Sequence, residues 1–188
     1  YPDHAKMIKF INPIINNDDL AVLKNLKYKG FFAEIIPILY DADQGAQGLQ
    51  DGLDQVCAQA EQAVDQNRDY IILTDRNISA SQAAIPSLLA VAAVHHHLIR
   101  KQKRIQIDIV LETGEAREVM HFALLFGYGA SIINPYMAFA VIEKLVKNKQ
   151  LQLEYKTAER HYTKALGLGI LKVMSKMGTS TLRSYRAA

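Results

Sequence analysis

With 188 residues, 49% hydrophobic and 22% charged, the chain has the size and composition of one globular domain with a full core, and its net charge of +3 is too small to point to nucleic acid. One cysteine, Cys57, excludes an internal disulfide and a cysteine-ligated metal or iron–sulfur site built from this chain alone, and it fits a reducing, cytoplasmic compartment. No apolar run reaches the length of a membrane span, no secretory signal is visible, and a start at Tyr1 leads us to expect a piece of a longer protein.

In chain order, "FFAEIIPILY" (31–40) reads as a strand with Pro37 near its end. Residues 45–67 follow as an amphipathic helix, with Leu49, Leu53, Val56, Ala60 and Val64 at helical spacing. "DYIILTD" (69–75) is a compact buried strand. "AAIPSLLAVAAVHHHLIRKQ" is a helix with Pro86 near its first turn and basic residues at its end, where the helix dipole favours them. "IQIDIVLET" (105–113) predicts the next strand, and 114–129 the next helix, its N-terminus favoured by Glu115 and Glu118. "ASIINP" (130–135) is a strand and 136–148 a helix. Strands separated by single helices imply an α/β fold, with a mainly parallel sheet of right-handed βαβ units, open or partly barrel-like. No glycine-rich fingerprint follows any strand, so a dinucleotide-binding fold lacks support.

After Lys149 the character changes. Residues 154–178 fit a helical extension, which Gly167 and Gly169 weaken or end. The expected division is a central α/β domain over 1–149, then a linker helix and the start of a second domain over 150–188.

Functional groups of parallel sheets collect where strands end and helices begin. Three such turns carry Thr74, Asp75, Arg76 and Asn77; Glu112, Thr113, Glu115 and Arg117; and Asn134 and Tyr136. In a parallel sheet all lie on one edge. They form either a ligand pocket or channel wall, or a set of helix caps and ion pairs that fix loops, because both uses draw on the same residue types. Neither serine nor cysteine stands at these turns, so no nucleophile–base pair is recognisable.

His95, His96 and His97 are consecutive on one helix. Neighbouring helical residues point about 100° apart, so three rings in a row cannot converge on one ion. One or two buried, hydrogen-bonded imidazoles and one near the helix end are the expected arrangement. A site shared with His121 of the next helix is the metal alternative.

"AAIPSLLAVAAVHHHLIR", "ETGEAREVMHFALLFGYGASIINPY" and "GLGILKVMSKMGTSTLRSY" occur in this order. Together they resemble the large subunit of glutamate synthase, including its ferredoxin-dependent form. The first two resemble its central domain, and the third the opening of its FMN-binding synthase domain. Met120 and Thr179 depart from the family's usual histidine and isoleucine. The resemblance implies an oxidoreductase that forms L-glutamate from 2-oxoglutarate and glutamine-derived ammonia by reduction through FMN. It also implies an iron–sulfur cluster fed by ferredoxin or a pyridine-nucleotide-linked small subunit. The implied partners of this piece are the amidotransferase and synthase domains of the same polypeptide, with no nucleic acid and no membrane. As an interdomain scaffold bordering an ammonia tunnel, it is expected to be inactive alone, with Asp75, Arg76, Glu112, Thr113, Glu115, Arg117 and Asn134 on the tunnel or interdomain rim.

The third segment adds a flavin expectation. "KVM" suits a barrel strand, followed by Lys176, Met177, Gly178, Thr179 and Ser180 as FMN contacts in the complete enzyme. Gly178 permits close backbone approach and Met177 offers a polarizable surface. In this piece by itself the tail is expected to be disordered or helical, without FMN. The competing reading is a stand-alone α/β domain that binds a small molecule at Asp75, Glu112 and Asn134.

Overall fold

The structure, a computed structural model, describes residues 8–26 and 30–186. Its main sheet contains β1 (Ala33–Pro37), β3 (Tyr70–Thr74), β5 (Asp108–Glu112) and β6 (Ile132–Asn134) in that spatial order, every pair parallel. The helices between them are α2 (Gly45–Asp65), α3 (Ser87–Arg100) and α4 (Val119–Gly127). Spatial order follows chain order, so each crossover steps one strand onward. That progression belongs to barrels, whereas a doubly wound sheet reverses at a switch point. The expected α/β fold with a mainly parallel, partly barrel-like sheet is therefore what forms.

Both faces of the sheet are covered, which explains the near-continuous apolar runs of β3 and β5. Ile71, Leu73, Ile109, Leu111 and Ile133 pack in the core beneath α2, α3 and α4. Tyr70, Ile72 and Val110 meet Leu20 and Leu23 of α1 (Asn17–Asn25) and Ile15 on the other face. The sequence reading placed no element at α1. Its signals are the Asn16 cap, which accepts from Asp19 N, and Asp18 and Asp19 in the first turn. Just before α1 the chain lies along β6, where Ile15 N donates to Ile133 O at 3.0 Å and Ile133 N to Pro13 O at 2.8 Å.

Four boundaries differ from the sequence reading. The strand expected over 31–40 is two strands in two sheets. β1 ends at Pro37, which has no N–H for a ladder, and β2 (Leu39–Asp41) pairs antiparallel with β4 (Gln82–Ala84). That same β4 takes the residues expected to open α3, since a residue before proline is pushed out of the helical region. The helix expected from 114 starts at Val119, because the 113–118 segment is held by side chains of the rim. Glu115 correspondingly serves α3, accepting Ser87 N at 2.8 Å.

The fourth difference is the tail. α6 (Tyr155–Lys176) runs unbroken through Gly167 and Gly169, and "KVM" is helical rather than a strand. Gly169 lies where α6 presses on α4: a Cβ there would stand 2.3 Å from Val119 Cγ2. Packing, not helix termination, explains this glycine. α5 (Tyr136–Lys147) precedes α6, and α7 (Leu182–Tyr185) follows it. Leu166, Ile170 and Met174 of α6 and Tyr185 of α7 join the same core as the sheet. The tail is the helical extension expected.

Candidate functional site

Parallel register aligns Thr74, Glu112 and Asn134 across three neighbouring strand ends. Side chains at aligned positions share a face, here the one covered by α1. Glu112 is only 1% exposed, yet it is surrounded by donors. Its Oε2 accepts Lys24 Nζ at 2.6 Å and Thr74 Oγ1 at 2.7 Å, while Oε1 accepts Arg76 Nε at 2.5 Å. Burial works to raise its pKa, but the hydrogen bonds from Lys24, Thr74 and Arg76 overcome this and hold the carboxyl below the usual range. Glu112 is thus an anion fixed between two cations, suited to structure and electrostatics and unsuited to proton transfer near neutrality.

A second cluster surrounds Asp75, which is 2% exposed. Asp75 Oδ2 accepts Thr113 Oγ1 at 2.7 Å and Gly114 N at 2.8 Å. Thr113 has given its only hydroxyl proton to the carboxylate, so in its 2.6 Å contact with Ser87 Oγ the serine must donate. Glu115 N donates to the same Thr113 oxygen. The other Asp75 oxygen, Oδ1, is buried without a well-formed hydrogen bond. Tyr136 lies close to this carboxylate, and its pKa is pushed up to about 12 by burial first and by Asp75 next. Arg76 stacks over the Tyr136 ring at 3.9 Å from the centroid, so it links the two clusters.

Asn134 Nδ2 donates to Ile15 O at 3.0 Å and to Asn17 Oδ1 at 3.1 Å, which leaves its own Oδ1 buried and unpartnered. Among the described residues the edge therefore carries two buried acceptor oxygens without a well-formed hydrogen bond, the Tyr136 hydroxyl being a further donor close to the Asp75 carboxylate, and such acceptors are costly in a dry interior. Of the rim residues expected, Asp75, Arg76, Glu112, Thr113, Glu115 and Asn134 gather along this edge. Arg117 stands apart on an exposed turn, its carbonyl accepting the Tyr162 hydroxyl at 2.7 Å. The sequence reading missed Lys24, which no spacing links to Glu112, 88 positions away. It also missed Ser87, hidden as the first residue of α3.

The histidines separate as their spacing requires. His95 is buried and accepts Arg104 Nε at Nδ1, 2.8 Å away. His97 Nε2 contacts Glu61 Oε2 at 2.8 Å, and His96 is exposed. His97 therefore joins α3 to α2 rather than capping the helix end.

Residues 176–180 form the exit from α6. Gly178 takes φ +70° with nothing within 4 Å of a Cβ position, and Thr179 N closes the helix on Met174 O at 3.0 Å. Lys176, Met177, Gly178 and Ser180 are exposed, and Thr179 is half-buried. An iron–sulfur cluster has no ligand set in this chain, because Cys57 is its single cysteine and lies on the buried face of α2.

Solved structures share the fold. The recombinant flavin-binding domain of baker's yeast flavocytochrome b2 superposes with a TM-score of 0.57 at 14% identity, covering 96% of this chain and 39% of that one. A flavocytochrome b2 double mutant with pyruvate bound gives 0.59 at 15% identity, covering 96% and 39%. Sequence relatives are much nearer. The glutamate synthase [NADPH] large chain of Bacillus subtilis is 40% identical over 98% of this chain. The glutamate synthase [NADH] of Saccharomyces cerevisiae is 38% identical over 94%, and the ferredoxin-dependent glutamate synthase of Pyropia yezoensis 35% over 100%. The chain spans only 12%, 9% and 13% of those three proteins. The glutamate synthase central domain family model matches residues 1–188. A family model that matches the whole chain, and relatives 35–40% identical over nearly all of it, mean that the chain belongs to the glutamate synthase central domain family.

Proposed function

We propose that this chain works as the central domain of a glutamate synthase, an oxidoreductase that forms L-glutamate from 2-oxoglutarate and glutamine-derived ammonia through FMN. The observation that carries this reading is the match along the whole chain to large chains of that name. The domain's task is interdomain: it packs between the amidotransferase and synthase domains of one cytoplasmic polypeptide and borders the path of ammonia. By itself it catalyses nothing. The rim supports this role chemically, since the acceptors Asp75 Oδ1 and Asn134 Oδ1 suit a small N–H donor and Glu112 is already saturated. In the complete enzyme Lys176, Met177, Gly178, Thr179 and Ser180 contribute one wall of the FMN site, and the remaining walls and the cluster cysteines come from elsewhere in the polypeptide. FMN supplies the reducing electrons when bound. Electrons arrive from ferredoxin or a pyridine-nucleotide-linked small subunit.

The coding DNA beyond both ends tests the enzyme assignment: an open frame continuing into a flavin barrel and a cysteine cluster is expected, and its absence rejects the reading. The rim is tested in the complete enzyme with Asn134→Leu. Free ammonia released per glutamate formed should rise, with glutaminase activity unchanged. Unchanged coupling in a folded variant rejects the tunnel role.

The stand-alone ligand domain is less well supported. Cavities of about 540, 690 and 210 Å³ lie at the opposite sheet edge, beside α6 and beside β1, and none is lined by Asp75, Glu112 or Asn134.

A further inference from the structure

The N-terminal edge of the sheet holds a different cluster. Arg104 is 9% exposed, and its three hydrogen bonds go to neutral acceptors: His95 Nδ1 at 2.8 Å, Ile107 O at 2.7 Å and Gly129 O at 2.8 Å. No carboxylate pairs with it among the described residues. Arg186, just after α7, uses Nη2 on Ser131 Oγ at 2.6 Å, while its Nε is buried without an acceptor. Arg183 lines the same cavity, of about 540 Å³, and is exposed.

Two acids share this cavity wall, and of these Asp108 offsets the arginines only in part. Asp69 is turned to Phe32 N at 2.7 Å. Asp108 accepts Ser131 Oγ at 2.6 Å, stands 4.0 Å from Arg186 Nη2, and leaves 66% of its side chain in solvent. A buried guanidinium without a directly paired carboxylate is expensive, and a second one beside it adds repulsion. Burial first, and Arg186 next, accordingly pull Arg104 down to about 10. Buried donors left without acceptors commonly mark an ion or water that completes the site.

We infer that the cavity between Arg104, Arg183 and Arg186 binds a small oxyanion of the phosphate or carboxylate class. Two or more acceptor oxygens would satisfy Arg186 Nε and offset the Arg104 charge, and planar guanidinium donors suit such ligands. The Tyr70 ring and Ile107 give the cavity its apolar walls. This site lies at the other end of the strands from the rim, so it is independent of the tunnel reading.

The test uses the complete enzyme with its flavin, in equilibrium dialysis against radiolabelled inorganic phosphate at low ionic strength. Wild type should bind one more phosphate per chain than Arg186→Gln. The exposed Arg183→Gln, which leaves the packing untouched, should weaken that phosphate roughly threefold through lost attraction. Displacement by malonate assigns the site to carboxylates as well, and resistance to malonate restricts it to phosphate. Equal phosphate stoichiometry in wild type and folded Arg186→Gln, with no weakening in Arg183→Gln, overturns the inference.

Discussion

Thr74 and Glu112 end neighbouring parallel strands in register, and the threonine hydroxyl donates to the glutamate across 2.7 Å. Lys24 then reaches the same carboxylate oxygen from α1, and Arg76 the other. One buried anion thus joins two strands, the turn after β3 and the helix that covers the sheet.

Acid should loosen this junction. Because the Glu112 pKa is depressed in the fold, its contribution is complete above the unfolded value of about 4.3 and is lost as pH falls through the folded one. Glu112→Gln should cost roughly 1.5–3 kcal/mol at pH 7, the range for hydrogen bonds to a charged group. Urea melts at pH 7 and pH 3 should show a smaller penalty at the lower pH. A penalty that does not change with pH would mean that the carboxylate charge is irrelevant.

His95 gives a second acid response in a different window. Its ordinary value of 6.5 is lowered to about 4, by burial first and by Arg104 next. Between these values the unfolded chain binds a proton that the folded ring refuses, so stability falls as pH drops from about 6.5 to 4. Proton NMR of the ring should show the neutral form at pH 5.5. A ring already protonated there contradicts the Arg104 Nε to His95 Nδ1 hydrogen bond.

Gly169 should not tolerate a methyl group. Alanine would gain up to about 1 kcal/mol of helix propensity, but its Cβ would collide with Val119 of α4. Overpacking of this kind costs about 1–3 kcal/mol, so Gly169→Ala should lower Tm. The double variant Gly169→Ala with Val119→Ala should recover part of the loss. An increase in Tm for the single variant sinks the close-approach explanation.

The tail is expected to be part of the fold. Met174 is 4% exposed in the core that includes the sheet. Met174→Ala should cost about 2–5 kcal/mol. A chain ending at Asn148 should lose cooperative unfolding in calorimetry, since Leu166, Ile170 and Tyr185 go with it. An unchanged transition would instead make residues 150–186 a separate unit.

The sequence by itself determined the alternation of strands and helices, and with it the parallel sheet. Apolar runs at β3 and β5 and helical periodicity at α2 are local signals, written within a few turns of chain. It also determined which turns carry Asp75, Glu112 and Asn134, because strand ends are visible as apolar runs that stop. The fan of His95, His96 and His97 followed from helix geometry alone. Tertiary structure decided the rest. Lys24 reaches Glu112 only because α1 folds back across the sheet, and Glu115 serves α3 rather than α4 only because the first residues of α3 lie beside that turn. The helix through Gly167 and Gly169 persists because packing on α4 outweighs the weak propensity of glycine. Arg104, Arg183 and Arg186 meet at one cavity because the chain returns to the N-terminal edge after α6. These contacts join positions far apart in the chain, and only the folded backbone sets their distances.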